Sequence, residues 1–535
     1  MRRWIALLIV ALAVWAGFHW QGSPPPDEEA APTASILQRG NGPEPESLDP
    51  HLARTDSAHT IVRDLFEGLT VLDAAASVQP GAADRWDVSE DGTSWTFHLR
   101  EDGRWSDGSA VTAQDFLFAF RRLVDPATAS PYATFLDSVV NVRAAASGAL
   151  PVSAIGVTAV GERTVVIDLD APTPHLTELL AHPSAAPVHR ASVEAHGERY
   201  ARPGNLVSNG PFALTGWVVG SHVEIHRNPH FREPPALDGV RFVHIVDESS
   251  ELARFRAGEL DMTYTIPISR YPWVRENFPD ALRVAPYLGV YFYGFNTTRP
   301  PLDDHRVRRA LSLVVDRELI TSKITGIGEI PACGLVPPGT AGYAPASMGY
   351  CDLPMADRIE RARELLSRAG FGPDRPLRLE LRYNTGEFHQ RLAVAIAGMW
   401  KDALGVEVEL LNEEFRVLIA NIRAKEVTQV YRASWVGDYN DAATFLGVLA
   451  SDSQINGTGF SDAAYDRLLA RAAREPDPQA RQRLLHDAEA LALESDVLLP
   501  LYFYVSKRLV ADRVRGYEDN VMNVHASRYL SVGEG

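Results

Sequence analysis

Leu377-Arg-Leu-Glu-Leu-Arg-Tyr383 alternates apolar and polar residues with a period of two, the signature of a half-buried strand. A helical stretch follows near Phe388 to Leu404, Gly405 closes it, and Val406 to Leu411 alternates again. Strand, helix and strand in this order make a βαβ unit. At least this part of the chain is therefore predicted to be an open α/β domain.

The same two periods recur on either side. Trp95 to Leu99 and Val165 to Leu169 alternate as strands. Thr112 followed by Asp115 opens a capping-box helix with Phe116, Ala119, Phe120 and Leu123 on one face, and Asp125-Pro126 stops it. Val307, Ala310, Leu311 and Val314 mark a second helix. Ile359, Ala362, Leu366 and Ala369 mark a third, ended by Gly370. Asp477-Pro478 starts a fourth, with Leu484, Ala488 and Leu491 inward. Tryptophans and tyrosines cluster near turn signals, as in Arg104-Trp105-Ser106-Asp107-Gly108. The class is α/β or α+β, neither all-β nor a helical bundle.

At 535 residues the chain has room for roughly three or four domains. With 45% hydrophobic and 23% charged residues, its composition is that of an ordinary globular protein rather than a disordered one. The net charge of −17 argues against nucleic acid and anionic lipid as the main partner. Residues 1–22 read as a signal peptide or an N-terminal anchor: Met1-Arg2-Arg3 precedes an apolar run from Trp4 to Phe18, shorter than the roughly 20 residues that span a bilayer. No cysteine follows this run, which excludes a lipoprotein anchor, and residues 23–35, with Pro24-Pro25-Pro26, read as a flexible tether. Cys333 and Cys351 lie 18 residues apart in a Gly/Pro-rich segment. One loop-closing disulfide is the simple reading in an oxidising compartment, with free thiols as the alternative.

No enzyme signature is present. The sequence lacks a His-Glu-x-x-His helix, a Gly-x-Ser-x-Gly elbow and a P-loop. Gly326-Ile327-Gly328 lacks the third glycine of a dinucleotide fingerprint and reads as a loop after the helix near Leu311. His51, His98 and His175 sit alone among unrelated residues. The expectation is a protein that is not an enzyme, and no metal or organic cofactor is called for.

Several blocks together resemble a known family: Glu46-Ser-Leu-Asp-Pro-His51, Arg63-Asp-Leu-Phe-Glu-Gly-Leu69, Trp95 to Arg100 through Trp105-Ser-Asp-Gly108 to Phe116, Val124-Asp-Pro-Ala-Thr-Ala-Ser-Pro-Tyr132, Phe255-Arg-Ala-Gly-Glu-Leu-Asp-Met262, Tyr383-Asn-Thr385 and Asp438-Tyr-Asn440. In this order and spacing, from about Ile36 to the C-terminus, they resemble the periplasmic oligopeptide-binding proteins of ABC importers, solute-binding protein family 5. The resemblance implies an α/β, two-lobed periplasmic binding protein (type II-like, a Venus flytrap) with an additional domain. It implies lobe I at 36–66, 188–288 and 506–535, the additional domain II at 67–187 and lobe III at 289–505. The βαβ unit falls in lobe III.

The resemblance also implies the site. Within a closed cleft a peptide ammonium requires an opposite charge, and Asp438 matches the family's amine clamp, where a loop aspartate would otherwise read as a helix cap. Arg432 to Val436 matches the strand that pairs with the peptide backbone, with Ser434 and Val436 offering main-chain groups. Tyr132 and Trp435 match aromatic positions near the peptide; Arg432, Arg423 and His389 match positions that meet its carboxylate or line its pockets. Three departures stand out. Gly289 and Val436 occupy the places joined by a disulfide in well-studied members, Thr325 (just past Lys323) stands near the basic residue for short peptides, and Arg54 replaces an acidic residue. The implied function is the substrate-binding subunit of a peptide ABC importer, periplasmic and exported by its N-terminal signal, or held at the inner membrane where the signal is uncleaved. Its implied partners are short peptides and permease transmembrane subunits with their ATPases, no nucleic acid, and the implied state is a monomer. The rival readings are another cargo on the same fold (murein peptide, peptide antibiotic, metal or haem complex), a tethered sensor or chaperone, and a secreted hydrolase.

Overall fold

Alternation puts every second side chain of a strand on the inner face, and the chain uses it to build three large sheets. The computed structural model describes residues 35–533; the predicted leader (1–22) and the tether as far as residue 34 lie outside the described residues. The strands run β1 (Ile36–Gly40), a β2–β3 hairpin (Thr70–Leu72, Val78–Pro80), β4 to β7 (Ala83–Val88, Ser94–Leu99, Val157–Val160, Thr164–Asp168), and β8 to β10 (Phe212–Val218, His222–Arg227, Gly239–Val243). There follow β11 (Leu282–Phe295), β12 (Ile330–Pro331), β13 to β15 (Arg378–Asn384, Glu407–Glu413, Val430–Val436), β16 (Leu498–Leu509) and a β17–β18 pair (Val514–Arg515, Ser531–Val532). One four-stranded sheet is ordered β1-β10-β9-β8, a second β4-β5-β7-β6, and a six-stranded sheet β12-β16-β11-β15-β13-β14.

The first two sheets share one core: Leu37, Val223 and Phe242 from one sheet join Phe97, Val165 and Ile167 from the other. The six-stranded sheet has its own core, from Leu288 to Val521, in which Trp400 is fully buried and its indole N–H donates to the Leu311 carbonyl at 2.9 Å. Two long strands join the two bodies. β11 pairs with β16 antiparallel along nearly its whole length, Leu282 opposite Leu509 and Gly294 opposite Leu498, with a register shift between Pro286 and Val290. The chain thus leaves the first body along β11 and returns along β16.

The local signals form the expected elements. β13 and β14 pair in parallel, Leu379 opposite Val408, and helix Glu387–Leu404 crosses between them. Gly405 ends that helix at φ +70°, a conformation a side chain would strain. Helix Ala113–Val124 opens with the capping box, the Thr112 N–H donating to the Asp115 carboxylate at 2.8 Å, and helix Pro478–Glu494 starts after the Asp477 cap. Cys333 and Cys351 are joined, with Cα atoms 6.3 Å apart. Beside them the buried Glu489 carboxylate accepts from the N–H groups of Leu335, Val336 and Ala346 and from the Tyr343 hydroxyl, all at 2.7–2.9 Å.

Gly326-Ile327-Gly328 is a loop, as expected, and follows a wide helical turn, Ile320–Thr325, that continues a segment beginning at Arg317. One reading needs correction. The three histidines are not isolated. His51 Nδ1 lies 2.8 Å from the guanidinium of Arg122, which also pairs with Asp49, and His98 lies 2.7 Å from the Asp87 carboxylate. His175 stacks on Tyr439, with ring centroids 4.5 Å apart. Arg122 and Tyr439 are distant in sequence from their histidines, whereas Asp87 meets His98 across the β4–β5 hairpin.

Candidate functional site

A strand inside a sheet uses both of its edges; β15 does not. On one side it pairs with β11 throughout, from Val430 opposite Phe295 to Val436 opposite Gly289. On the other side β13 meets it only at Val430 and Tyr431. Among the described residues, no protein backbone pairs with the second edge of β15 from Arg432 to Val436. Alternate residues of this stretch turn their N–H and C=O groups to the open side. Val436 is exposed, and Arg432, Ser434 and Trp435 are half-buried.

Just past this edge the Gly437 N–H donates to the Leu288 carbonyl at 2.8 Å, and the chain turns out of the sheet at Asp438. The next residues fix the loop. Tyr439 stacks on His175, the Asn440 side-chain oxygen accepts from the Ala341 N–H at 3.0 Å, and Asp441 holds the buried Arg481 guanidinium through two contacts of 2.5 and 2.9 Å. Asp438 differs from its neighbours: among the described residues its carboxylate has no hydrogen bond and no ion pair. It keeps access to solvent, yet the protein around it raises its pKa by desolvation. Arg63, Glu178 and His182 line the same recess.

Tyr132, on the first body, packs against His182 of this recess, and after burial the Asp438 charge helps to raise its pKa. Its ring packs against His182 (5.0 Å), His59 (5.6 Å) and Phe135 (5.9 Å). Burial lowers the pKa of His59 to about 4 and holds that of His182 well below the usual histidine value, so both are neutral near pH 7.

At the other end of the open edge the Arg432 guanidinium lies 4.7 Å from the centre of the Tyr291 ring. The Tyr291 hydroxyl is 3.0 Å from His389 Nδ1, and its ring stacks on Tyr502 at 4.9 Å. Burial, then the Arg432 charge, lowers the pKa of His389 to about 4. The fold therefore brings Arg432 and His389 together. Arg423 is exposed on helix Phe415–Ala424 and lines another recess with Ser434 and Trp435, whose indole N–H reaches the Thr444 hydroxyl at 3.3 Å. Arg63, His59, His182 and Tyr291 are not singled out by the sequence: Arg63 falls within the Arg63–Leu69 stretch, and the others carry no local signal.

The three departures are also located. Gly289 and Val436 face each other across β11 and β15. The buried Thr325 hydroxyl donates to the Thr321 carbonyl at 3.0 Å, leaving it no proton for a ligand carboxylate, whereas Lys323 is exposed. Arg54 is exposed, its backbone N–H held by Glu46. Among the described residues no group of three or more His, Cys, Asp or Glu is arranged to hold a metal ion, and no helix is long and apolar enough to cross a membrane.

Comparison with known proteins adds an independent line. The model of the bacterial extracellular solute-binding proteins, family 5 (middle) matches residues 77–457. The chain is 38% identical over 503 residues to the periplasmic oligopeptide-binding protein OppA of Salmonella typhimurium, covering 93% of this chain and 92% of that protein. Among solved structures it superposes with a TM-score of 0.87 on the murein tripeptide binding protein MppA in its unliganded open form (39% identity, 94% of this chain, 98% of that one). On Haemophilus influenzae OppA in complex with the peptide RPPGFSPFR the TM-score is 0.73 (34% identity, 94% of this chain, 99% of that one).

Proposed function

The chain belongs to the bacterial extracellular solute-binding proteins of family 5, and on that premise we propose that it captures short peptides and delivers them to the transmembrane subunits of an ATP-driven permease. The observation that carries the reading is the open β15 edge beside an unpaired carboxylate. A peptide supplies both missing partners at once, backbone groups for residues 432–436 and an ammonium for Asp438. Arg432 supplies positive charge toward the far end of the same edge and suits the peptide carboxylate, with a neutral His389 behind Tyr291. Tyr132 lends an aromatic wall from the opposite body. The site calls for binding, not catalysis.

We divide the chain into lobe I (36–66, 188–288 and 506–535), domain II (67–187) and lobe III (289–505), with β11 and β16 as the connecting strands. The arrangement of the three large sheets supports this division. The protein works in the periplasm as a monomer, brought there by its N-terminal signal. Ligand bound to β15 and reached by Tyr132 from the first body favours the closed arrangement, because only a closed state satisfies both sets of contacts. A murein peptide is a second reading, favoured by the likeness to MppA.

Two experiments test this. Native mass spectrometry of gently purified protein is expected to show peptide-sized adducts, and a murein tripeptide added in competition tells a general carrier from a specialist. Tripeptides N-methylated at single internal amides are expected to bind at least about tenfold more weakly wherever the amide hydrogen meets the β15 edge. Full retention of affinity across the whole methylated series would refute the strand-addition reading.

A further inference from the structure

One edge-lining recess has a composition of its own. It lies beside Ala433, Ser434 and Trp435 of the open strand and encloses about 220 Å³. Phe292, Ile422 and Leu449 are buried in its wall, while Ile419, Val448 and Ile455 remain partly exposed around it, Ile455 by 40%. Apolar side chains that keep solvent exposure around a concave surface are those a ligand can still desolvate. The space depends on two glycines. A Cβ on Gly294 would collide with the Tyr431 ring, and one on Gly457 would collide with Ile422 and the Tyr431 hydroxyl. Glycine at both positions lets Tyr431 lie back against the wall. Arg423 is the only charged residue in the lining, and its guanidinium opposes a cationic side chain there.

All of these residues belong to the six-stranded body, so the recess is complete before the two bodies close. We infer that this recess selects, at one position of the bound peptide, a large apolar side chain such as Leu, Met or Phe, and that it does so in the first encounter, ahead of closure. The inference rests on the peptide-capture reading and adds to it a side-chain preference set by Ile419, Ile422, Val448 and Ile455.

The test is calorimetric titration of the full chain with tri-alanine and with tripeptides carrying a single Leu, Phe, Glu or Lys at each position in turn. One position is expected to favour Leu and Phe over Ala by at least about tenfold and to place Lys last. Val448→Glu is expected to abolish that preference and to raise the rank of Lys at the same position. Ile455→Glu, at the more exposed rim, serves the same purpose should Val448→Glu fail to fold. Equal affinity for Ala, Leu and Lys at every position, or a Leu preference that survives both acidic substitutions, would overturn the inference while peptide capture stood. If no tripeptide binds, the peptide-capture reading falls, and this inference falls with it.

Discussion

Asp438→Asn isolates the charge of the proposed amine clamp from its shape. The substitution keeps the size and one acceptor oxygen but removes the only negative charge at residues 437–440. In the free protein this change disturbs little, because among the described residues the carboxylate has no partner to lose. In the complex it leaves an ammonium without its counter-ion. Breaking one side of a desolvated, hydrogen-bonded charge pair costs roughly 2–5 kcal/mol. Because Asp438 keeps some access to solvent, the lower part of that range applies, about 2–3 kcal/mol, or about 30- to 150-fold in Kd. Calorimetric titration with tri-alanine and N-acetyl-tri-alanine reads the effect directly. Acetylation should cost the wild type about as much as Asp438→Asn costs with the free amine, and should cost the variant little more. The pH dependence has a fixed sign. The carboxyl pKa is raised in the free protein and an ammonium lowers it in the complex, so protons compete with peptide and affinity falls as pH drops through the free-protein value. An Asp438→Asn protein that binds tri-alanine within about threefold of wild type, or an acetylation penalty equal in both proteins, would refute the clamp.

Three further outcomes are expected. Replacing Cys333 and Cys351 by serine opens a loop of 18 residues and should lower unfolding stability by about 3 kcal/mol, read by denaturant titration against the oxidised protein. Arg481→Ala leaves Asp441 buried without its cation, which should cost roughly 3–5 kcal/mol of stability and loosen the Asp438 loop, read by thermal melting together with peptide titration. Burial raises the pKa of Glu251 from 4.5 to about 7, so the folded state holds a proton that the unfolded state has released; stability should fall by about 3 kcal/mol as pH rises from about 4.5 to 7, and Glu251→Gln should remove that slope in melts across the range.

What the sequence disclosed depended on how far apart the interacting residues lie. The strand from Leu377, the helix to Leu404 and the Gly405 stop are set by neighbours within a turn or a pleat, as is the Thr112–Asp115 cap, and all were readable as patterns. The pairing of β11 with β16 joins segments some two hundred residues apart, and nothing in either strand names its partner. The open edge of β15 is harder still to foresee, since it results from β13 leaving β15 after two residues, a fact of sheet geometry. The candidate site shows the same divide. Asp438, Arg432 and His389 were named through a family resemblance, whereas Tyr291, which lies between Arg432 and His389, is 98 residues from His389 and carries no motif. His175 looked solitary for the same reason: Tyr439, its stacking partner, belongs to the other body.

The distribution of site residues between the two bodies determines how binding and closure are linked. The β15 edge, Asp438, Arg432 and the apolar recess all belong to the six-stranded body, while Tyr132, His59, His182 and Arg63 belong to the other. A peptide that docks on the first set already meets Arg63 and His182, which line the Asp438 recess, and closure adds whatever further contacts the second body supplies. The free energy that drives closure is the part of the binding energy gained in that step alone, because contacts equal in both states shift no equilibrium. The β11–β16 ladder that joins the bodies is interrupted between Pro286 and Val290. Substitutions at Asp438 or around the recess should thus weaken docking and leave the open–closed ratio of the peptide-bound protein unchanged. Substitution of Tyr132 should leave the first docking step nearly intact and reduce the closed fraction, a division that fluorescence-monitored closure and equilibrium binding can separate on the same protein.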